Sequence, residues 1–141
     1  MKLIRNIETK VVHYLLTDGQ IANITPIGLE GEFRANYILP DTHEIVEGIA
    51  DKPPLWASES LTYEDGVWGV ATTDATFIKD YEEAKAQAVR ADRDSRLAVT
   101  DFHGLTDNTM CAEMTTYRQS LRDVPQQGGF PTEIDWPTEP S

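Results

Sequence analysis

Residues 61–70 leave this chain the least conformational freedom: Leu61-Thr62-Tyr63-Glu64-Asp65-Gly66-Val67-Trp68-Gly69-Val70. Asp-Gly between two alternating apolar runs is the strongest short-range signal for a two-residue hairpin. A type I′ turn needs positive φ at both central positions, which few residue pairs other than Asp-Gly and Asn-Gly accept. The turn fixes the register, pairing Glu64 with Val67, Tyr63 with Trp68 and Leu61 with Val70. Leu61, Tyr63, Trp68 and Val70 then share one face, where the cross-strand aromatic pair stabilises the hairpin.

The residues before this hairpin also read as β-rich. Val11-Val12-His13-Tyr14-Leu15-Leu16 is a strand candidate closed by Asp18-Gly19, and 21–25 follows it. A second run spans 33–39 and stops at Pro40-Asp41, and a third, weaker in pattern, spans 43–49. Gly28, Gly31 and Gly48 punctuate the region without the spacing of a phosphate-binding loop. Trp56 follows Lys52-Pro53-Pro54-Leu55. It is either an anchor onto the hairpin face or an exposed recognition element.

Beyond the hairpin the period changes. Asp74 is placed to cap a helix over 75–98. Phe77, Tyr81, Ala84, Ala88 and Ala91 recur along it at helical spacing, on an otherwise charged surface. After a loop at 101–108, a second helix is expected over 109–122, with Met110, Met114, Tyr117 and Leu121 on one face. Pro125 stops it. The remaining residues cannot be helical, yet they carry three large anchors, Phe130, Ile134 and Trp136, and an extended docked tail is the expected form. The expected fold is therefore α+β. A small antiparallel β unit (1–72, with the hairpin at 61–70) precedes a helical hairpin with an extended Pro-rich C-terminal tail (73–141).

Charge narrows the choice of partners. The 141 residues include 24 acidic and only 12 basic side chains, a net charge of −12. Binding to nucleic acid rests on neutralising phosphates, and anionic membranes repel an acidic surface, so both are poor partners. No apolar run approaches the roughly 20 residues of a membrane-spanning helix. The first residues lack the apolar core of a secretory signal. One cysteine, Cys111, excludes an intrachain disulfide and any multi-cysteine zinc site. Acidity of this degree also opposes self-association.

No catalytic constellation is evident. His13, His43 and His103 are scattered singly, without metal-ligand spacing. Cys111, His103 and Asp101 could form a hydrolase site only by converging in one cleft, and nothing specifies an oxyanion hole. Asp92 and Asp94 are two apart on a helix and face different ways. The tail acids Glu133, Asp135 and Glu139 read as solvated charges. No enzyme activity, cofactor or metal is therefore expected.

One stretch carries a more specific signal. Arg90-Ala91-Asp92-Arg93-Asp94-Ser95-Arg96-Leu97 runs into Thr100-Asp101-Phe102. Tyr117-Arg118-Gln119-Ser120-Leu121-Arg122-Asp123-Val124-Pro125 follows, then Gly129-Phe130-Pro131 and Ile134-Asp135-Trp136-Pro137. In this order the segments resemble the C-terminal module of bacteriophage tail assembly chaperones, which include tail fibre assembly proteins. There an Arg-rich helix leads to a "TDW" step, then "W..YRQ.LRD.P.Q", then "GFP..I.WP..P". The resemblance covers about residues 90–137. It departs at Phe102 and Met114, where the family pattern has tryptophan, and both keep a large apolar group.

The resemblance implies a tail or tail-fibre assembly chaperone binding an unassembled tail or fibre subunit in the host cytoplasm during infection. The alternative is a structural component of the virion tail, fibre or baseplate using the same module. It leaves the oligomeric state open. The partner-binding candidates are Trp56, Tyr117, Arg118, Arg122, Phe130 and Trp136. Arg118 and Arg122 lie one turn apart, and their guanidinium groups suit paired bonds to carboxylates, either within the chain or on a partner.

Overall fold

A computed structural model describes residues 1–105 and 107–141. The expected loop at 101–108 includes Thr106, which lies outside the described residues. Among the described residues seven strands precede two α-helices, in the α+β class. The contacts within the chain cluster into two units, Met1–Ile78 and Lys79–Ser141, dividing inside the first helix.

The first unit is built on a three-stranded antiparallel sheet of β1 (Lys2–Asn6), β2 (Val12–Leu16) and β5 (His43–Val46), with β1 in the middle. Two short hairpins accompany it, β3 (Ala22–Thr25) with β4 (Gly28–Gly31), and β6 (Leu61–Glu64) with β7 (Val67–Val70). Alternation along β1 sends its side chains into two separate cores. Ile4 joins Leu16, Leu29 and Ile38, with Tyr14, Ala22, Ile24 and Ile45 packed around them. Leu3 joins Val12 and Ile49, with Leu15, Val46, Tyr63 and Trp68 around them. The central sheet is thus buried on both faces, one beneath each hairpin.

In β2, Tyr14 stands opposite Ile4 and Val12 opposite Arg5, leaving His13 as an extra residue in a β-bulge. Arg5 binds Glu44 at 2.8 Å and donates to the Tyr63 carbonyl, tying the β6–β7 hairpin to the sheet. That hairpin has the expected register, Glu64↔Val67, Tyr63↔Trp68 and Leu61↔Val70. Asp65 and Gly66 have φ of 50° and 82°, as a type I′ turn requires. The Tyr63 and Trp68 rings lie 4.9 Å apart.

Two expectations need correction here. Residues 33–39 form no strand; they run as bends and turns and touch the β3–β4 hairpin through a single Leu29↔Ala35 bridge. Gly28, with φ of +131°, makes that approach possible, because a Cβ there would lie 2.5 Å from the Ala35 carbonyl oxygen. The apolar content of 33–39 goes instead into burying Ile38 as a core plug. The central strand β1 and the strand β4 carry no turn signal of their own, and the sequence reading passed over both.

Helix α1 (Ala75–Val99) begins where Asp74 accepts from the backbone N–H groups of Thr76 and Phe77 at 2.8 and 3.2 Å. Its buried residues differ from the expected stripe. Tyr81 and Ala86 are buried, whereas Ala88 and Ala91 are exposed. The small side chains of Ala88 and Ala91 bury little area, so the long side chains of Lys85, Arg93 and Arg96 occupy the partly covered face instead. Helix α2 (Ala112–Asp123) starts three residues later than expected, capped by the Cys111 sulfur accepting from Met114 N–H at 3.4 Å.

Candidate partner-binding site

In the second unit, Met114, Tyr117 and Leu121 of α2 form the core, joined by Leu97, Met110 and Trp136. This is the apolar face that the Met110/Met114/Tyr117/Leu121 spacing requires. Its neighbour one step around α2, Arg118, reaches back to the C-terminal end of α1. There it donates to the Leu97 carbonyl at 2.9 Å, to Thr100 Oγ1 at 2.7 Å and to Asp101 Oδ1 at 2.9 Å. The last carbonyls of a helix have no intrahelical partners and carry partial negative charge, so a guanidinium fork suits this place on two counts. The side chain of Arg118 is only 12% exposed. It is an internal clasp.

The tail is held by a second set of contacts. After Pro125 the chain turns through 127–133, where Gly129 accepts from the N–H groups of Thr132 and Glu133. A Cβ on Gly129 would lie 2.4 Å from the Glu133 carbonyl oxygen, so the turn needs a glycine. The Gln127 side chain then pairs with the returning strand as a backbone amide would. It donates to the Asp135 carbonyl at 2.8 Å and accepts from Asp135 N–H at 2.9 Å. One residue on, Trp136 enters the α2 core, with the Arg96 guanidinium 4.3 Å from its ring centroid. Asp92 binds Arg96 at 3.1 Å and pushes its pKa further up, so the guanidinium keeps its charge over the ring. Phe130 lies near Arg90, 5.5 Å from ring to guanidinium, and Thr132 accepts from Lys85 at 2.7 Å.

The six candidate residues therefore separate. Tyr117 is buried, Arg118 is internally bonded, and Phe130 and Trp136 are partly buried against arginines of α1. Arg122 is exposed and makes no hydrogen bond or ion pair among the described residues. Trp56 belongs to the first unit and is 37% exposed. Asp101 binds Arg118, Asp94 binds its neighbour Arg93, and Asp123 accepts from Gln119.

Two features escaped the sequence reading. Val99, Phe102 and Leu105, within seven residues of chain, are exposed by 66%, 54% and 58%. Apolar residues at a helix end are ordinarily taken as core, and only the absence of helical periodicity beyond Val99 signals otherwise. The second is a groove of about 410 Å³ along α2, lined by Ala112, Thr116, Tyr117, Ser120, Pro137 and Pro140. Its walls are helix on one side and tail on the other, and no single stretch of sequence foretells it.

The helix pair closed by its own tail thus offers apolar side chains at one end and an exposed arginine on α2 without a bonding partner among the described residues. Residues 86–141 match the family model described as phage tail assembly chaperone protein. This part of the chain is similar to that family's module. No curated protein and no solved structure matches the chain significantly.

Proposed function

We propose that the chain is a non-catalytic assembly factor that holds unassembled tail or tail-fibre subunits in the host cytoplasm during infection. The match of residues 86–141 to the tail assembly chaperone family carries this reading. Its chemistry is supported by Val99, Phe102 and Leu105, three large apolar side chains in water where a folded protein ordinarily scatters them singly. Arg122 is available to a client carboxylate. A net charge of −12 keeps such a surface soluble between clients. Release needs no nucleotide, because the client's own oligomer contacts displace the factor by mass action.

Cys111 serves as a helix cap, its sulfur accepting from Met114 N–H. The test is mass spectrometry of purified particles beside the cross-linked infected-cell lysate. Recovery with an identified tail or fibre subunit, and absence from particles, is the expected result. A fixed copy number in particles would make the chain a structural tail component and overturn the transient role.

A further inference from the structure

The β6–β7 hairpin is a two-stranded sheet, and among the described residues no strand pairs with the outer edge of β7. The direction in which its backbone groups point follows from the turn. In a two-residue hairpin the residues flanking the loop, Glu64 and Val67, exchange hydrogen bonds, so the next pair, Tyr63 and Trp68, does not. The β6 side agrees with this phase, since Tyr63 N–H turns outward to the Lys10 carbonyl at 3.2 Å. By the same alternation the N–H and C=O groups of Trp68 and Val70 point out from the free edge of β7.

Native sheets usually protect such an edge with lysine, proline or a bulge. Val67-Trp68-Gly69-Val70 has none of these, and Val67 and Val70 are 68% and 37% exposed. Charge selects the occupant. Residues 1–78 carry 12 acidic and 5 basic side chains, with Glu64 and Asp65 at one end of the edge and Asp74 beyond the other. Two copies pairing antiparallel about Gly69 would bring Glu64 of each toward Asp74 of the other. A second copy is therefore repelled, and a strand flanked by lysine or arginine is attracted.

We propose that the free edge of β7 is a strand-addition site for an extended apolar segment of the client flanked by basic residues. Its main chain pairs with Trp68 and Val70, and its alternate side chains lie beside Val70 on one face and over Gly69 on the other. The client as occupant rests on the function proposed above; the edge itself does not.

The direct test is an NMR titration of the full chain with the synthetic peptide Lys-Val-Thr-Val-Thr-Val-Lys. A second peptide, N-methylated at every valine and threonine, serves as its partner. The unmodified peptide is expected to shift and protect the Trp68 and Val70 amides, and N-methylation to weaken binding at least tenfold. Val70→Pro removes one outward donor without touching the β6 ladder, and it should weaken the unmodified peptide to a similar degree. Equal binding of both peptides, or no response at Trp68 and Val70, overturns the proposal, even if V70P folds poorly. Capture of an identified tail subunit separates the two readings. If wild type and V70P capture it equally well, the assembly role stands and the strand-addition site falls. If the peptide docks at the edge but no tail subunit is ever captured, the site stands and the assembly role falls.

Discussion

Replacing Arg118 with methionine keeps the aliphatic stem and removes the clasp between α2 and the end of α1. Three bonds are lost, and they are unequal. The bond to Asp101 joins a carboxylate that is 66% exposed, so it contributes at most about 0.5 kcal/mol. The bonds to the Leu97 carbonyl and Thr100 Oγ1 are charge-assisted and shielded, Thr100 being 1% exposed. Such bonds contribute roughly 1.5–3 kcal/mol. The loss does not reach the top of that range for each. Leu97 O still accepts from Thr100 N and Thr100 Oγ1 at 3.1 and 3.0 Å, so no buried acceptor is orphaned.

The expected cost of Arg118→Met is about 2–3 kcal/mol in all. With a urea slope near 1 kcal/mol per molar for so small a unit, the midpoint should fall by about 2–3 M. Circular dichroism at 222 nm follows it, since the helices dominate that signal. Asp101→Asn, which keeps an acceptor, should shift the midpoint by less than about 0.5 M on the same slope. If the methionine variant melts within 0.5 M of wild type, or if D101N costs as much as R118M, the clasp is not what joins these helices.

His43 makes the first unit acid-sensitive. It is 7% exposed, and burial first, then the charge of His13, hold its pKa below the ordinary value, against a smaller opposing pull from Asp41. The unfolded chain therefore binds the proton first. Stability is complete above about pH 6.5 and is lost as pH falls through the window below it. Thermal melts should show a steeper loss between pH 7 and pH 5 for wild type than for His43→Gln; equal slopes would contradict this. Gly129→Ala should cost about 1–3 kcal/mol by overpacking the turn against Glu133, read as lost hydrogen-exchange protection at the Asp135 amide. Gly66→Ala has open space around it but must keep φ near 82°, so strain alone should cost about 1–2 kcal/mol in urea melts. An unchanged midpoint would mean that the hairpin turn differs from type I′.

What could be read from the sequence was what local chemistry dictates. Asp65-Gly66 fixed a register, Asp74 fixed a helix start, and the spacing from Met110 to Leu121 fixed a buried face. What could not be read depends on distant neighbours. β1 is a strand because β2 and β5 flank it, and nothing in Lys2-Leu3-Ile4-Arg5-Asn6 announces a central position. Residues 33–39 had the composition of a strand, but only Gly28 on another strand made room for them to lie as a plug. Arginines 118 and 122 were equivalent in sequence. Their roles diverge because the end of α1 lies beside one and water beside the other.

The bulge at His13 has a consequence for comparing chain lengths. In an unbroken strand Val12 and Leu15, three apart, would lie on opposite faces, yet here both serve the core that contains Leu3. His13 shifts the phase of the side-chain alternation by one position. Deleting it would leave Val12 and Leu15 two apart, on the same face of a regular strand and opposite Arg5 and Leu3 as before. Wherever another sequence is laid against this one, a one-residue gap at position 13 is therefore loss of the bulge with every face of β2 kept, whereas the same gap at a paired position of β2 is a change of face.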